Sequence, residues 1–238
     1  MSILSDLGHL FFPPVCPACG GPLGEGARTV CTACRWDAPL TGFWAEADNP
    51  VARKFWGHFP IVQASSLLFF SGQGGFRQLI HAFKYCGGWR LAVQMGEWYG
   101  ALLAGGGLYN DVDVVVPVPL HFTRRVRRGY NQSQYIAEGI AKALKKPLDT
   151  HTLRRSKNNR SQARIKGQGP ESAGRWTNVQ GIFAVRRPEK FEGRHILLVD
   201  DVLTTGATLA SCAEAILAAA PGARISIATL AVARHDLK

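Results

Sequence analysis

Ile196-Leu197-Leu198-Val199-Asp200-Asp201-Val202-Leu203-Thr204-Thr205-Gly206-Ala207-Thr208 reads as a buried strand, an acidic strand end and a loop entering a helix, in direct succession. Four consecutive apolar residues without polar alternation suit a strand covered on both faces, the usual state of a parallel sheet in an α/β domain. Asp200 and Asp201 then fall at the carboxyl end of that strand, where open α/β sheets bind their ligands. Beyond the loop, Leu209, Cys212, Ala213, Ile216, Leu217 and Ala220 form one apolar stripe, closed by Pro221-Gly222. The spacing predicts a helix packed on the sheet, with Cys212 as a small core residue rather than a nucleophile.

The loop has the chemistry of an anion cradle. Thr204, Thr205 and Thr208 offer hydroxyl donors, Gly206 permits close backbone approach, and a helix starting near Leu209 aims free N–H groups at the loop. Two carboxylates beside a phosphate would repel it. Their fitting partners are sugar hydroxyls, which donate hydrogen bonds, or a Mg²⁺ ion. A ribose phosphate satisfies both halves of the motif. The run resembles the thirteen-residue signature of type I phosphoribosyltransferases, which bind 5-phosphoribosyl-1-pyrophosphate (PRPP). That resemblance implies that Asp200 and Asp201 bind the ribose 2′ and 3′ hydroxyls, and that Leu203, Thr204, Thr205, Gly206, Ala207 and Thr208 wrap the 5′-phosphate. Receiver domains also open on Leu-Leu-Val-Asp-Asp, but the 37 residues after Asp201 are expected to be too few for one.

Charge is concentrated in one part of the 238-residue chain. Thirteen Lys or Arg stand between His121 and Lys166 against Glu138 and Asp149, which accounts for the whole formal charge of +11. An excess of this size, dominated by Arg, indicates a polyanion: PRPP, nucleic acid or both. Phe122, Tyr130 and Tyr135 lie in the same stretch, with Trp176 nearby, so a positive groove with stacking rings is one reading and ordinary core packing is the other.

Cys16-Pro-Ala-Cys19 and Cys31-Thr-Ala-Cys34 are two Cys-x-x-Cys knuckles separated by eleven residues. Four thiolates at this spacing suit a closed tetrahedral Zn²⁺ site whose role is structural. Such a site contributes on the order of 10 kcal/mol to folding a segment too small for its own core. Disulfides, a redox pair and an iron site are the alternatives.

Along the chain, Ile3, Leu4, Leu7, Leu10 and Phe11 form a short helical stripe, followed by the knuckles and a Trp-containing connector from Trp36 to Phe59. Strand material is expected at Ile61 to Phe70, a turn at 71–75, and helical stripes at Phe76, Leu79, Ile80, Phe83 and at Leu91, Met95, Trp98, Leu102. Asp113 to His121 is a second buried strand cut off by prolines. A helix is expected from Gln132 to Leu144, then a mobile polar loop from Thr150 to Thr177. The division expected is a zinc module and connector over 1–55, then an α/β domain over 56–238. No apolar run approaches the ~20 residues of a membrane span, and the N-terminus lacks the marks of a secretory signal, so a cytoplasmic chain without membrane insertion is expected.

Taken in order, the paired knuckles, Lys84-Tyr85-x-Gly87, Pro117-Val118-Pro119-Leu120-His121, Arg128-Gly129-Tyr130-Asn131-Gln132, Asn178-Val179-x-Gly181-x-Phe183 and the PRPP signature resemble the ComF family, which includes proteins named GntX. Tyr130 stands where that family's pattern leads one to expect Phe. The resemblance implies a type I phosphoribosyltransferase-like, mostly parallel sheet flanked by helices, fused to an N-terminal Cys₄ zinc finger. It also implies a role in natural transformation, with imported single-stranded DNA as a partner and other DNA-uptake proteins as contacts. By the same resemblance Val118, Pro119, Leu120 and His121 form the pyrophosphate loop, and Arg124, Arg125, Lys84 and Arg160 are candidates to neutralise charge. Two functions follow. One is a transferase that moves the phosphoribosyl group from PRPP, held with Mg²⁺, to a nitrogenous acceptor. The other is a nucleic-acid-binding protein that keeps the PRPP pocket as a sensor or phosphate site.

Overall fold

The computed structural model describes residues 15–24, 26, 29–70, 76, 78, 79, 88–120, 130–155 and 182–237. Its centre is a four-stranded, wholly parallel sheet built from β1 (Ile61–Phe70), β2 (Val114–Pro117), β5 (His195–Leu203) and β6 (Arg224–Ala233), in the order β1-β6-β5-β2. The strand read from Ile196 to Val199 is β5, and its four apolar residues have no solvent exposure. Alternation then assigns them to two layers: Leu197 and Val199 join one apolar cluster, Ile196 and Leu198 the other.

The first layer holds α3 (Trp89–Gly106) and α4 (Gln132–Leu144); the second holds α5 (Ala207–Ala219). Two short helices precede the sheet, α1 (Thr32–Trp36) and α2 (Pro50–Arg53). Asn49 starts α2 and uses its whole amide: Oδ1 accepts from the Val51 and Ala52 N–H groups, while Nδ2 donates to the Phe43, Glu46 and Ala64 carbonyls. This buried residue ties the connector to β1, and Val51, Ala52 and Phe55 enter the α5-side cluster. On the opposite face, Cys16, Ala18 and Val30 of the knuckle segment belong to the same cluster as Trp98 of α3 and Leu197 of β5.

Both sheet edges are covered, which removes two open templates for strand addition. Along β1, the Thr41 N–H donates to the Leu67 carbonyl and the Phe69 N–H to the Pro39 carbonyl. Along β2, Val115 exchanges hydrogen bonds with Pro147 and Asp149. A separate antiparallel pair, β3 (Leu153–Arg155) and β4 (Phe183–Val185), lies on the α5 side through Leu153 and Phe183. The polar loop expected from Thr150 to Thr177 does not hold at its start, where Thr152 and Leu153 are buried and the chain enters β3; residues 156–181 lie outside the described set. Among the described residues no helix is long and apolar enough to cross a membrane.

Helices α3 and α4 touch backbone to backbone through glycines. A Cβ on Gly139 would lie 2.0 Å from the Val93 carbonyl oxygen, and one on Gly96 would lie 2.2 Å from that of Ile136. Gly139→Ala is expected to destabilise the fold by about 3 kcal/mol, because rigid backbone must move. Gly105→Ala, facing open space on the same helix as Gly96, is expected to be neutral or to stabilise by roughly 0.5–1 kcal/mol. Urea denaturation of the two variants checks this.

His195 opens β5 in full burial, with Nε2 2.8 Å from Ser226 Oγ and Nδ1 3.1 Å from Asp111 Oδ1. Burial holds the imidazole below its ordinary pKa, with Arg224 reinforcing and Asp111 opposing. The unfolded chain thus takes up this proton at about pH 6.5 and the folded chain only lower, so stability falls as pH drops below about 6.5 and levels off once the folded group protonates. Denaturant midpoints at pH about 7.5 and 5.5 are expected to differ less in His195→Gln than in the wild type.

Candidate functional site

Parallel pairing brings the ends of β2 and β5 to the same edge of the sheet, with Pro117 opposite Val199. The Val118 N–H donates to the Val199 carbonyl at 2.9 Å, so the two chains leave the sheet side by side. Asn131, the N-cap residue of α4, donates from Nδ2 to the Val118 carbonyl at 3.0 Å. Two positions later Ser133 Oγ donates to Asp200 Oδ1 at 2.7 Å, and the Asp201 N–H donates to that same oxygen at 2.9 Å. One helix start therefore braces both loops. Asp201 Oδ1 accepts from the Val202 N–H at 2.8 Å.

Asp200 and the chain from Val202 to Leu209 then line a small cleft. Gly206 has φ +84°, a left-handed conformation that suits glycine, and a Cβ there would stand 3.1 Å from the Phe55 ring. Gly206 caps α5 without a side chain, so first-turn N–H groups face the cleft beside the Thr204, Thr205 and Thr208 hydroxyls. Thr205 Oγ1 lies 3.4 Å from the Ala207 nitrogen, a long bond that an anion can replace. Leu203 and Ala207 are buried, and their contribution to the cleft is backbone. Chemically the cleft offers anion-binding N–H and hydroxyl donors at one end and the Asp200 carboxylate at the other, while Asp201 does not line it.

The neighbouring loop is narrower in donors than its four residues suggest. Val118 is buried with its N–H already used, and Pro119 has none, which leaves the Leu120 N–H among the described residues. His121, Arg124, Arg125, Lys84 and Arg160 lie outside the described residues. Ser133 carries no motif that marks it, and its bond to Asp200 emerges only when α4 packs on the sheet. Arg155, on β3, stacks on Phe183 at 5.4 Å; burial pushes the Cys212 thiol well above its ordinary pKa, with the charge of Asp200 reinforcing and that of Arg155 opposing. Trp89, Tyr135 and Tyr130 form a ring cluster at the same end of α4, with centroids 5.7 Å and 5.5 Å apart and the Arg90 guanidinium over Trp89.

The sulfur atoms of Cys16, Cys19, Cys31 and Cys34 all lie within 4.8 Å of one another. A tetrahedral ion with metal–sulfur bonds of about 2.3 Å sets sulfurs ~3.8 Å apart, and Cys19 and Cys31 stand 3.8 Å apart. Backbone N–H groups already point at the sulfurs, from Cys31 to Cys16 and from Gly21 to Cys19, and Gly20 supplies the left-handed turn. Burial raises the Cys16 pKa, but N–H donation from Cys31, Ala18 and Cys19 outweighs it and brings the thiol down to about 6. Cys34 is pushed up, by burial and by its sulfur neighbours. The four sulfurs are close enough to share one cation, and the cluster fits a structural metal. The purified protein is expected to carry one tightly held ion per chain by elemental analysis. Cys34→Ser is expected to lose it and to expose the amides of Val30 to Trp36 to hydrogen exchange.

Residues 115–238 match the family model described as phosphoribosyl transferase domain. Competence protein F of Haemophilus influenzae is 33% identical over 98 residues, 41% of each chain. DNA utilization protein YhgH of Escherichia coli K12 is 32% identical over 105 residues, 44% of this chain and 43% of that one. Competence protein ComFC of Bacillus subtilis is 27% identical over 219 residues, 91% of this chain and 77% of the relative. The chain thus spans about two fifths of the length of the first two relatives and most of the third.

Proposed function

Since this chain belongs to the phosphoribosyl transferase domain family, and within it to the ComF family, we propose that it is a cytoplasmic PRPP-binding protein that handles single-stranded DNA during DNA uptake. The observation that carries the PRPP reading is the cleft from Asp200 to Leu209. Donors and acceptors are segregated along it as the two halves of a ribose 5-phosphate require: N–H and hydroxyl groups from Thr204 to Thr208 for the phosphate and Asp200 for the ribose, with Asp201, next in the chain, as the second proposed partner of the ribose hydroxyls. Mg²⁺, bound with the ligand's pyrophosphate, supplies charge neutralisation there. Leu120, with His121, Arg124, Arg125, Lys84 and Arg160 as further candidates, faces the pyrophosphate end. Zn²⁺ is the ion proposed for the four cysteines, because a closed all-thiolate tetrahedron suits it.

The DNA part of the reading rests on the printed names of the relatives and on the charge of +11, all of it gathered between His121 and Lys166. Other DNA-uptake proteins are the partners it implies. A second reading, an active transferase, is favoured by the Trp89, Tyr135 and Tyr130 ring cluster at the start of α4, the helix whose Ser133 bonds Asp200, since such rings suit a planar acceptor. In that reaction the bond between ribose C1 and the pyrophosphate oxygen breaks, an acceptor nitrogen bonds to C1, and Asp200 and Asp201 hold the sugar while positive charge builds on it.

Calorimetric titration of PRPP with Mg²⁺ is expected to show saturable binding, weakened about tenfold or more by Asp201→Asn because hydrogen bonds to a charged group are lost. Both proteins are to be checked for retained fold and metal. Absence of binding to the folded wild type overturns the PRPP reading.

A further inference from the structure

Arg186, Arg187 and Lys190 lie far in sequence from the basic segment, yet the fold brings them against its members His151 and Arg154. Together with Thr152 they line a cavity of about 270 Å³. That is several times the ~30 Å³ that one water occupies in the liquid, so a phosphate group can enter. The walls are built rather than adventitious. Asp149 turns the chain into β3 by accepting from the His151 and Thr152 N–H groups and from Thr152 Oγ1. The Arg186 N–H donates to the Thr152 carbonyl at 2.9 Å, which closes the outer end of the β3–β4 pair. Arg154 Nε donates to the His151 carbonyl at 3.0 Å, which fixes the guanidinium at the rim. A 3₁₀ turn at Pro188–Lys190, anchored by the fully buried Phe191, presents Lys190.

Four fixed positive charges converge here. Of the carboxylates nearby, Asp149 is occupied by its turn and set against Lys190, and Glu189 is exposed on the 3₁₀ turn. Among the described residues, Arg53 pairs with Asp48 and Arg224 with Asp111, and Arg35, Arg90 and Arg234 lie over aromatic rings. Arg154, Arg186 and Arg187 have no ion pair within that set. Arginines arranged without acids around a concavity suit phosphate, for which the guanidinium fork is shaped.

The pocket and the cleft at Asp200 share no lining residue. We infer that the pocket lined by Arg154, Arg186, Arg187 and Lys190 binds backbone phosphates of single-stranded DNA, separately from the sugar-phosphate cleft. This rests on the DNA-handling reading above and is independent of the PRPP reading.

The test is the salt dependence of binding to a labelled oligothymidylate, followed by fluorescence anisotropy, for the wild type and for Arg186→Gln/Arg187→Gln/Lys190→Gln. Each phosphate contact contributes about 0.7 to the slope of log affinity against log salt for a single strand, so the triple variant is expected to be shallower by about 2. Lysine at 186 and 187 with Lys190 intact is expected to retain most of the slope, and PRPP binding is expected to be unchanged in every variant. A Gln variant that binds the oligonucleotide with the wild-type slope overturns the pocket while leaving the DNA reading standing. A wild type that does not bind it overturns both. A variant that loses only its affinity for inorganic pyrophosphate overturns the DNA assignment in favour of a small-anion site.

Discussion

The bond from the Val118 N–H to the Val199 carbonyl is small, but the candidate site depends on it. It is the last rung of the parallel ladder between β2 and β5, and it fixes where two loops part from the sheet. One loop then carries carboxylates and an anion cradle, and the other carries backbone and the start of α4. Had β2 slipped by one residue, its buried valines would have exchanged layers, and Ser133 would no longer reach Asp200. Burial of β5 on both faces makes such a slip costly, so packing in the core sets the geometry of polar groups at the rim.

Asp200 and Asp201 stand where an anion is expected to bind, which is unfavourable unless they are oriented and compensated. The fold does the first with protein donors: Ser133 and the Asp201 N–H hold one oxygen of Asp200. Compensation is spread widely. The start of α5 contributes partial positive charge at the cleft, and Arg155 on β3 opposes the charge of Asp200 at the Cys212 thiol. The cationic pocket at Arg186 shares no lining residue with the cleft, so a small phosphate ester and a long polyanion need not compete for the same arginines.

How far this was legible in the sequence differs by element, for physical reasons. The strand β5 and the helices from Gln132 and near Leu209 announce themselves because apolar runs and stripes are long enough to show a period. Strand β6, central in the sheet, does not stand out. Ser226 and Thr229 interrupt its apolar run, yet both are fully buried, satisfied by His195 and Ser66. Strands β3 and β4 are three residues each, too short for any periodicity, and sit at the two ends of a polar stretch. At the site, Asp200, Asp201 and the Thr-Gly loop are legible because their types and order carry chemistry. Ser133 and the pocket at Arg186 are not, since they gain meaning only from partners 67 and roughly 35 residues away in the chain.

The cysteine cluster belongs to this same mechanical system. Cys16, Ala18 and Val30 pack into the cluster that contains Trp98 of α3, and Arg35 of the knuckle helix stacks on that Trp98 ring at 4.9 Å. Helix α3 in turn meets α4 through Gly96 and Gly100, where even a methyl group has no room. Helix α4 then presents Asn131 to the Val118 loop and Ser133 to Asp200. Cysteine cluster, α3, α4 and carboxylate thus form an unbroken series of close contacts. An ion held by the four cysteines would therefore support the far loop as well as its own segment, because glycine-to-glycine packing transmits a displacement that a looser, side-chain-filled interface would absorb.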